Sequence, residues 1–308
     1  MKKCCIVIVT YNAEKWLDVC LKPFVKLPKD MAVVVVDNMS NDKTVKIIKK
    51  KYNFVKLFEM GENLGFGRAN NIGIRWAYNN GFEHIFLLNQ DAEIDIKSLY
   101  KLCKIQDEHP EYYCLSPIHY NKNKNIDSLF EKNLSNSGII DFINNNPDKD
   151  IYEVNFCNAA LWCLSKKCIE DVGGFSPSFF HYGEDNNYAD RIHFYGKKIG
   201  VVPSVKAFHY RENPRSKNKF FTDKFKTNYR YMLQELSNPN NDGKFILFGF
   251  YRKLFIKLFF ALLIGDLKRI SRNYKLIMEL AKNHKQIYKN KKLSQAHKRI
   301  CFLEDIKL

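Results

Sequence analysis

The first hundred residues repeat one pattern four times: a short β-branched apolar run, then a longer amphipathic stretch. The runs are CCIVIV (4–9), AVVVV (32–36), VKLFEM (55–60) and HIFLL (84–88). Behind them come AEKWLDVCL, DKTVKIIKKKY, GRANNIGIRWAYNNG and IKSLYKLCKIQDE. A continuous apolar run needs cover on both faces, which parallel strands with crossover helices provide. The pattern therefore predicts a doubly wound α/β unit. In such sheets the ligand lies outside the carboxyl ends of the strands. Each run ends there in polar residues: Thr10-Tyr11-Asn12, Asp37-Asn38, Glu62-Asn63 and Asn89-Gln90-Asp91. Four separate stretches thus deliver polar groups to one rim.

Residues 119–150, rich in Asn, Lys and Asp, read as a surface excursion. Sheet-like sequence resumes at IYEVNFCNAALWCLS (151–165), followed by a short helix and the turn GGF at 173–175. In EDNNYADRIHFYG (184–196), Tyr188, Ile192 and Tyr195 fall at helical spacing, with Glu184 and Asp185 in the first turn, where the helix dipole favours anions. KIGVVP and VKAFHY (205–210) read as two closing strands.

A chain of 308 residues with 45% hydrophobic and 14% aromatic content buries enough apolar surface to exclude disorder. Its formal charge of +17 is regional: from Lys244 onward 16 Lys and Arg stand against 4 Asp and Glu. With the charge outside the α/β unit and no recognition motif, a nucleic-acid partner is not expected. Nine cysteines without a C-x-x-C pair suggest neither a disulfide framework nor a zinc site, and fit a reducing cytoplasm. The apolar run behind MKK ends at Thr10 with no small-residue cleavage site after it, so no signal peptide is expected.

Residues 245–264 have the length of a membrane span, but Arg252, Lys253 and Lys257 interrupt them within one arc of about 140°. Two readings stay open. One is an amphipathic helix lying in the plane of an anionic inner membrane; the other is a helix covering the catalytic domain with its cationic side in water.

VIVTYN, VVVVDNMSNDKTV, ENLGFGRANNIGI, LLNQDAEI, GGFSPSFFHYGEDNNYADRIHFYGKKI and VVPSVKAFHY together resemble the family 2 glycosyltransferases, and within them bacterial rhamnosyltransferase-like enzymes of surface polysaccharide synthesis. The resemblance covers about residues 4–210. It implies a GT-A fold, a Rossmann-like mixed sheet, over 1–243, with the nucleotide-binding half at about 1–95 and the acceptor-binding half at about 96–243. Residues 244–308 then form a basic helical extension. The implied reaction is metal-dependent, inverting transfer of a sugar from a dTDP- or UDP-linked donor to a glycan or lipid-linked acceptor. The implied place is the cytoplasm, peripheral on the inner face of the membrane. A non-catalytic scaffold of the same fold would lose acids, yet Asp37, Asp91 and Asp185 are present.

The resemblance also implies roles for single residues. Asp37 accepts a hydrogen bond from the pyrimidine base, with Thr10 and Asn12 on the same rim; Asn63, Gly65 and Gly67 form a loop where backbone approaches the ligand. Relatives carry Arg where this chain has Asn70, and Arg68 is the substitute. The Asp-x-Asp element aligns either as Asn89-Gln90-Asp91 or as Asp91-Ala92-Glu93, so Asp91 and Glu93 are the candidate ligands for Mg²⁺ or Mn²⁺. His209 stands where relatives supply a third ligand or a phosphate contact; a merely structural histidine is the other reading. Arg211, Arg215 and Lys217 follow as a phosphate clamp or as solvated loop charge. Asp185 is the general base with Glu184 beside it, against the simpler reading of acids complementing a helix dipole. His181 and Tyr182 belong to an acceptor pocket, and Trp162 is a sugar-stacking platform or a core residue.

Overall fold

The computed structural model describes residues 4–134, 149–211, 219–296, 300–304 and 306. Arg215 and Lys217 lie outside these residues, as does the stretch 135–148 of the predicted excursion. The first half follows the expected alternation: β1 (Cys4–Thr10), α1 (Leu17–Leu21), β2 (Met31–Asp37), α2 (Thr44–Lys51), β3 (Lys56–Glu59), α3 (Phe66–Asn79) and β4 (His84–Asn89). Then come β5 (Ala92–Glu93), α4 (Ile96–Glu108), β6 (Tyr112–Tyr120), α5 (Ser128–Leu134), β7 (Tyr152–Val154), β8 (Leu161–Ser165), α6 (Lys166–Val172), α7 (Glu184–Phe194) and β9 (Lys198–His209). Three helices close the chain: α8 (Lys224–Ser237), α9 (Gly243–Leu263) and α10 (Leu267–Ser294).

The strands form one nine-stranded mixed sheet in the order β3-β2-β1-β4-β8-β6-β9-β5, with β7 also paired to β9. β1, β2, β3 and β4 are parallel; β8 runs antiparallel to β4 and to β6. The chain lays β2 and β3 on one side of β1 and β4 on the other. The switch point therefore opens a crevice outside the carboxyl ends of β1 and β4, beside Thr10 and Asn89.

Two departures from the sequence reading have local causes. The two closing strands are one, β9, and the break that Pro203 writes into the sequence is a bulge: pairing with β6 jumps from Val202 to Lys206, so the proline owes no ladder hydrogen bond. β6 itself, YYCLSPIHY, escapes a pattern search because Pro117 interrupts it, yet all but its last residue are buried.

Apolar side chains fill both faces of the sheet, with Ile74, Trp162 and Phe175 on one and Ile8, Leu99 and Leu102 on the other. A third cluster joins Phe179 to Met232, Leu236, Leu254, Leu276 and Leu280, so the C-terminal helices are packed onto the α/β unit. Asn290 donates to Ser178 Oγ at 2.8 Å, and Leu303 is buried in the sheet's own core. α9 buries Gly243, Leu254 and Ala261, while its outward side carries Phe245, Phe248, Phe255, Phe259 and Leu263 in solvent. That side is apolar, not mainly cationic as the covering-helix reading expects. Among the described residues no helix is long and apolar enough to cross a membrane.

Candidate active site

The rim at the switch point is assembled by side chains that tie one loop to the next. Thr10 donates to Asp37 Oδ1 at 2.9 Å, and Ser40 donates its N–H and hydroxyl to the same carboxylate at 2.9 and 2.6 Å. Asp37 is 2% exposed, so most of its acceptor capacity already serves the protein. At the start of α2, Asp42 accepts from Thr44 N at 2.9 Å, while the N-cap residue Lys43 makes no side-chain cap. Asn12, at a positive φ of 50°, accepts from Asn41 N at 2.8 Å. Tyr11 N donates to Gln90 Oε1 at 2.8 Å, which ties β1 to β4.

Asn38, at the rim as the sequence places it, donates to Asn63 Oδ1 and accepts from Leu64 N, fixing the loop before α3. Gly65 corrects an expectation. Its φ is +79°, and an added Cβ would sit 2.0 Å from Phe180 O; Gly67 is likewise closed off by Phe175. These glycines admit the protein's own loop, not a ligand. Arg68 is exposed at the rim, whereas Asn70 is buried and donates to Phe66 O, so Asn70 is not free to hold a nucleotide.

At the exit of β4 the short strand β5 pairs with the end of β9, placing Ala92 opposite His209. His209 Nε2 lies 3.3 Å from Asp91 Oδ1. Burial opposes ionisation of Asp91, but the contacts with His209 and the charge of Arg211 outweigh it and hold its carboxyl below the usual range. Glu93 does not join them: its Oε2 accepts from the Tyr210 hydroxyl at 2.8 Å, and among the described residues no group of three candidate ligands includes Asp91, Glu93 or His209.

Behind His209 stands His119, which the sequence reading missed. Its ring lies flat on Phe130 at 4.1 Å and edge-on to His209 at 6.1 Å. Burial first, then His209 and Arg211, keep its imidazole well below the usual range and hence neutral. Arg211 Nε donates to buried Asp127 at 2.9 Å, and Asp127 Oδ1 also accepts from Leu129 and Phe130 N at the start of α5.

His209, Arg211 and Asn89 form one end of a cavity of about 800 Å³ whose other end is lined by Tyr182, Glu184, Asp185, Arg230 and Gln234. Glu184 and Asp185 open α7, behind Gly183 in the left-handed region at φ 102°. Glu184 is 5% exposed, and its Oε2 finds no hydrogen-bond partner among the described residues. Burial and the adjacent Asp185 push its carboxyl up to about 8, against the pull of Arg230. Asp185 is half-buried and faces the same cavity. The rings of His181 and Tyr182 meet at a tilt with centroids 3.9 Å apart, and Tyr182 meets Phe221 at 4.6 Å, which gives the cavity an aromatic wall. Trp162 is not part of it. The indole is 0% exposed, donates to Cys157 Sγ and packs on Phe175 and Tyr188, so it is a core residue and cannot stack on a sugar.

The sequence profile described as "Glycosyl transferase family 2" matches residues 5–172. The dTDP-rhamnosyl transferase RfbF of Shigella flexneri is 28% identical over 66% of this chain and 67% of its own length. Rhamnosyltransferase WbbL of Escherichia coli K12 is 24% identical over 77% of this chain and 96% of its own. Staphylococcus aureus TarS 1–349, solved with UDP-GlcNAc, has the same fold: the TM-score is 0.58 at 16% identity, over 95% of this chain and 90% of that one. The chain spans 41% of a longer TarS structure. The order of strands around the switch point and a profile match over more than half of the chain agree: it belongs to glycosyl transferase family 2 and is a glycosyltransferase with the GT-A fold.

Proposed function

We propose that the protein transfers a hexosyl unit, with inversion, from a dTDP- or UDP-linked donor to a glycan or lipid-linked acceptor in polysaccharide synthesis. One observation carries this reading: a single cavity is lined by His209 and Arg211 as well as by Glu184 and Asp185, with Asp91 in contact with His209. The donor's base lies on the Thr10–Asp37 rim with Arg68 at its edge, and its diphosphate extends toward Arg211. Asp91 and His209 offer an oxygen and a nitrogen 3.3 Å apart, close to the roughly 3 Å between neighbouring ligands of a Mg²⁺- or Mn²⁺-sized ion. When bound there, such an ion supplies positive charge to the departing diphosphate.

The chain's own groups do the rest. Asp185 takes the proton from the acceptor hydroxyl as that oxygen attacks the anomeric carbon from the side opposite the leaving diphosphate. Glu184 holds its own proton at neutral pH and is the weaker base candidate for that reason. The aromatic wall of His181, Tyr182 and Phe221 gives the acceptor sugar an apolar face to rest on. The apolar outer side of α9, flanked by Arg252, Lys253 and Lys257, supports peripheral attachment to an anionic membrane on the cytoplasmic side, where a lipid-linked acceptor would be met.

The test pairs binding with turnover. Thermal shifts with UDP and dTDP, with and without Mn²⁺, identify the nucleotide. Asp185→Asn should keep that shift and lose roughly 10²- to 10⁴-fold in kcat; undiminished turnover would rule out Asp185 as the base.

A further inference from the structure

Well away from the catalytic cavity, at the amino ends of β1 and β4, the fold gathers residues that no sequence spacing brings together. Cys4 pairs across the sheet with His84, and Cys163 on β8 faces Phe86, two residues beyond His84 on the same face of β4. From above, α4 lowers Cys103 onto them. The donor atoms of His84, Cys103 and Cys163 all lie within 4.8 Å of one another, and the residues are 2%, 5% and 0% exposed.

The imidazole of His84 is the second observation. Its Nδ1 lies 2.9 Å from Gln106 Oε1, and the amide is held in that orientation because Gln106 Nε2 donates to the carbonyls of Tyr112, Tyr113 and Cys163. Its Nε2 lies 3.2 Å from Asp107 Oδ1 without completing a hydrogen bond. A neutral imidazole has one N–H and cannot serve two oxygen acceptors. With Nδ1–H donated to Gln106 Oε1, the lone pair of the unpartnered Nε2 is the one a cation can take, and a metal-ligating histidine commonly donates its other N–H to a carbonyl oxygen in this way.

We propose that His84, Cys103 and Cys163 form a zinc site whose fourth position opens on the cavity beside Cys103. Two donors from the adjacent strands β4 and β8 and one from the covering helix make a Cys₂His set, which suits a borderline-soft divalent ion and not Mg²⁺. Two thiolates and a neutral imidazole balance the charge of Zn²⁺, and binding releases a proton from each of those two thiols to solvent. A surface cavity of about 590 Å³ lined by Cys103 and Asp107 gives the ion a route in. Its effect is on stability, since it pins α4 to β4 and β8 without touching the catalytic end of the sheet.

The test uses the full chain. Elemental analysis of the purified protein should find about one zinc per chain, and exchange into Co²⁺ should produce thiolate-to-cobalt charge-transfer absorption. Chelation should lower Tm. Cys103→Ser and Cys163→Ser should each lose the cobalt band, whereas Asp91→Asn should retain it, which separates this site from the catalytic cation. If the folded wild-type protein holds no zinc and shows no thiolate–cobalt absorption, the site does not exist, whatever the variants do.

Discussion

Glu184 and Asp185 are neighbours in one helical turn, yet the fold treats them differently, and the difference can be read in stability as well as in rate. The carboxyl of Glu184 rises from its usual 4.5 to about 8 because burial penalises its charge. The unfolded chain therefore gives up this proton first, and the folded state loses stability as pH rises from about 4.5 through about 8. Glu184→Gln has no proton to lose. Its Tm should match the wild type at the acid end of that window and exceed it progressively toward the alkaline end; a Tm difference constant with pH would show that Glu184 is already charged. Residue identity was partly legible here. The acids at the start of a helix were visible as sequence, but which of the two is buried depends on Arg230 and Gln234 from α8, some fifty positions away, whose spacing marks any solvated helix. Trp162 stayed undecided between sugar platform and core for a similar reason: an aromatic in an apolar run looks the same whether its neighbours are sugar or Phe175.

Elements were the most legible level, because continuous apolar runs and polar rims state the parallel half of the sheet directly. What stayed hidden was made by contacts between elements. Gly65 reads as a ligand-approach glycine, but its freedom is used by the Phe180 carbonyl, so Gly65→Ala should press the loop before α3 away from residues 179–182. Where alanine is tolerated it stabilises by roughly 0.4–1 kcal/mol; here we expect instead a loss of more than about 1 kcal/mol, together with weaker nucleotide binding in a titration, and an unchanged Tm would mean the two loops are not in contact. Asp127 is a second such junction, since it both starts α5 and holds Arg211 toward the cavity. Asp127→Asn keeps a good cap and removes the charge, whereas Asp127→Ala removes both. The Asn variant should bind the nucleoside monophosphate normally and the diphosphate more weakly, with Tm nearly unchanged. The Ala variant should in addition lose about 1 kcal/mol of stability. Equal affinities of wild type and Asn variant for the diphosphate would remove Arg211 from the phosphate site.

At the scale of the whole molecule the C-terminal helices pose the remaining physical question, which is why a packed structure leaves so much apolar surface in water. α9 is fastened to the body through Leu254 and Ala261, and α10 through Leu276 and Leu280, so the helices are not waiting for a fold to complete. Even so, Phe245 is 76% exposed and Leu267 77%, and Phe248, Phe255, Phe259, Phe260, Leu262, Leu263 and Ile264 continue the same surface along about 30 Å of helix and around its turn. A patch of this kind marks an interaction site. A second copy of the chain is a poor occupant, because it would bring two regions of 16 Lys and Arg against 4 Asp and Glu face to face. An anionic bilayer accepts both features, burying the rings at the headgroup boundary and pairing each cation for about 1 kcal/mol. The full chain should therefore sediment with phosphatidylglycerol-containing vesicles and much less with phosphatidylcholine ones. Replacing Phe255, Phe259 and Leu263 by Ser should weaken binding to the anionic vesicles more than tenfold, since each buried apolar side chain contributes roughly 1.5–3 kcal/mol. Lys253→Glu with Lys257→Glu should instead abolish the preference for anionic lipid. If the wild type ignores both kinds of vesicle and is a dimer that the Ser variant turns into a monomer, the surface is a subunit interface and the membrane has no part in it.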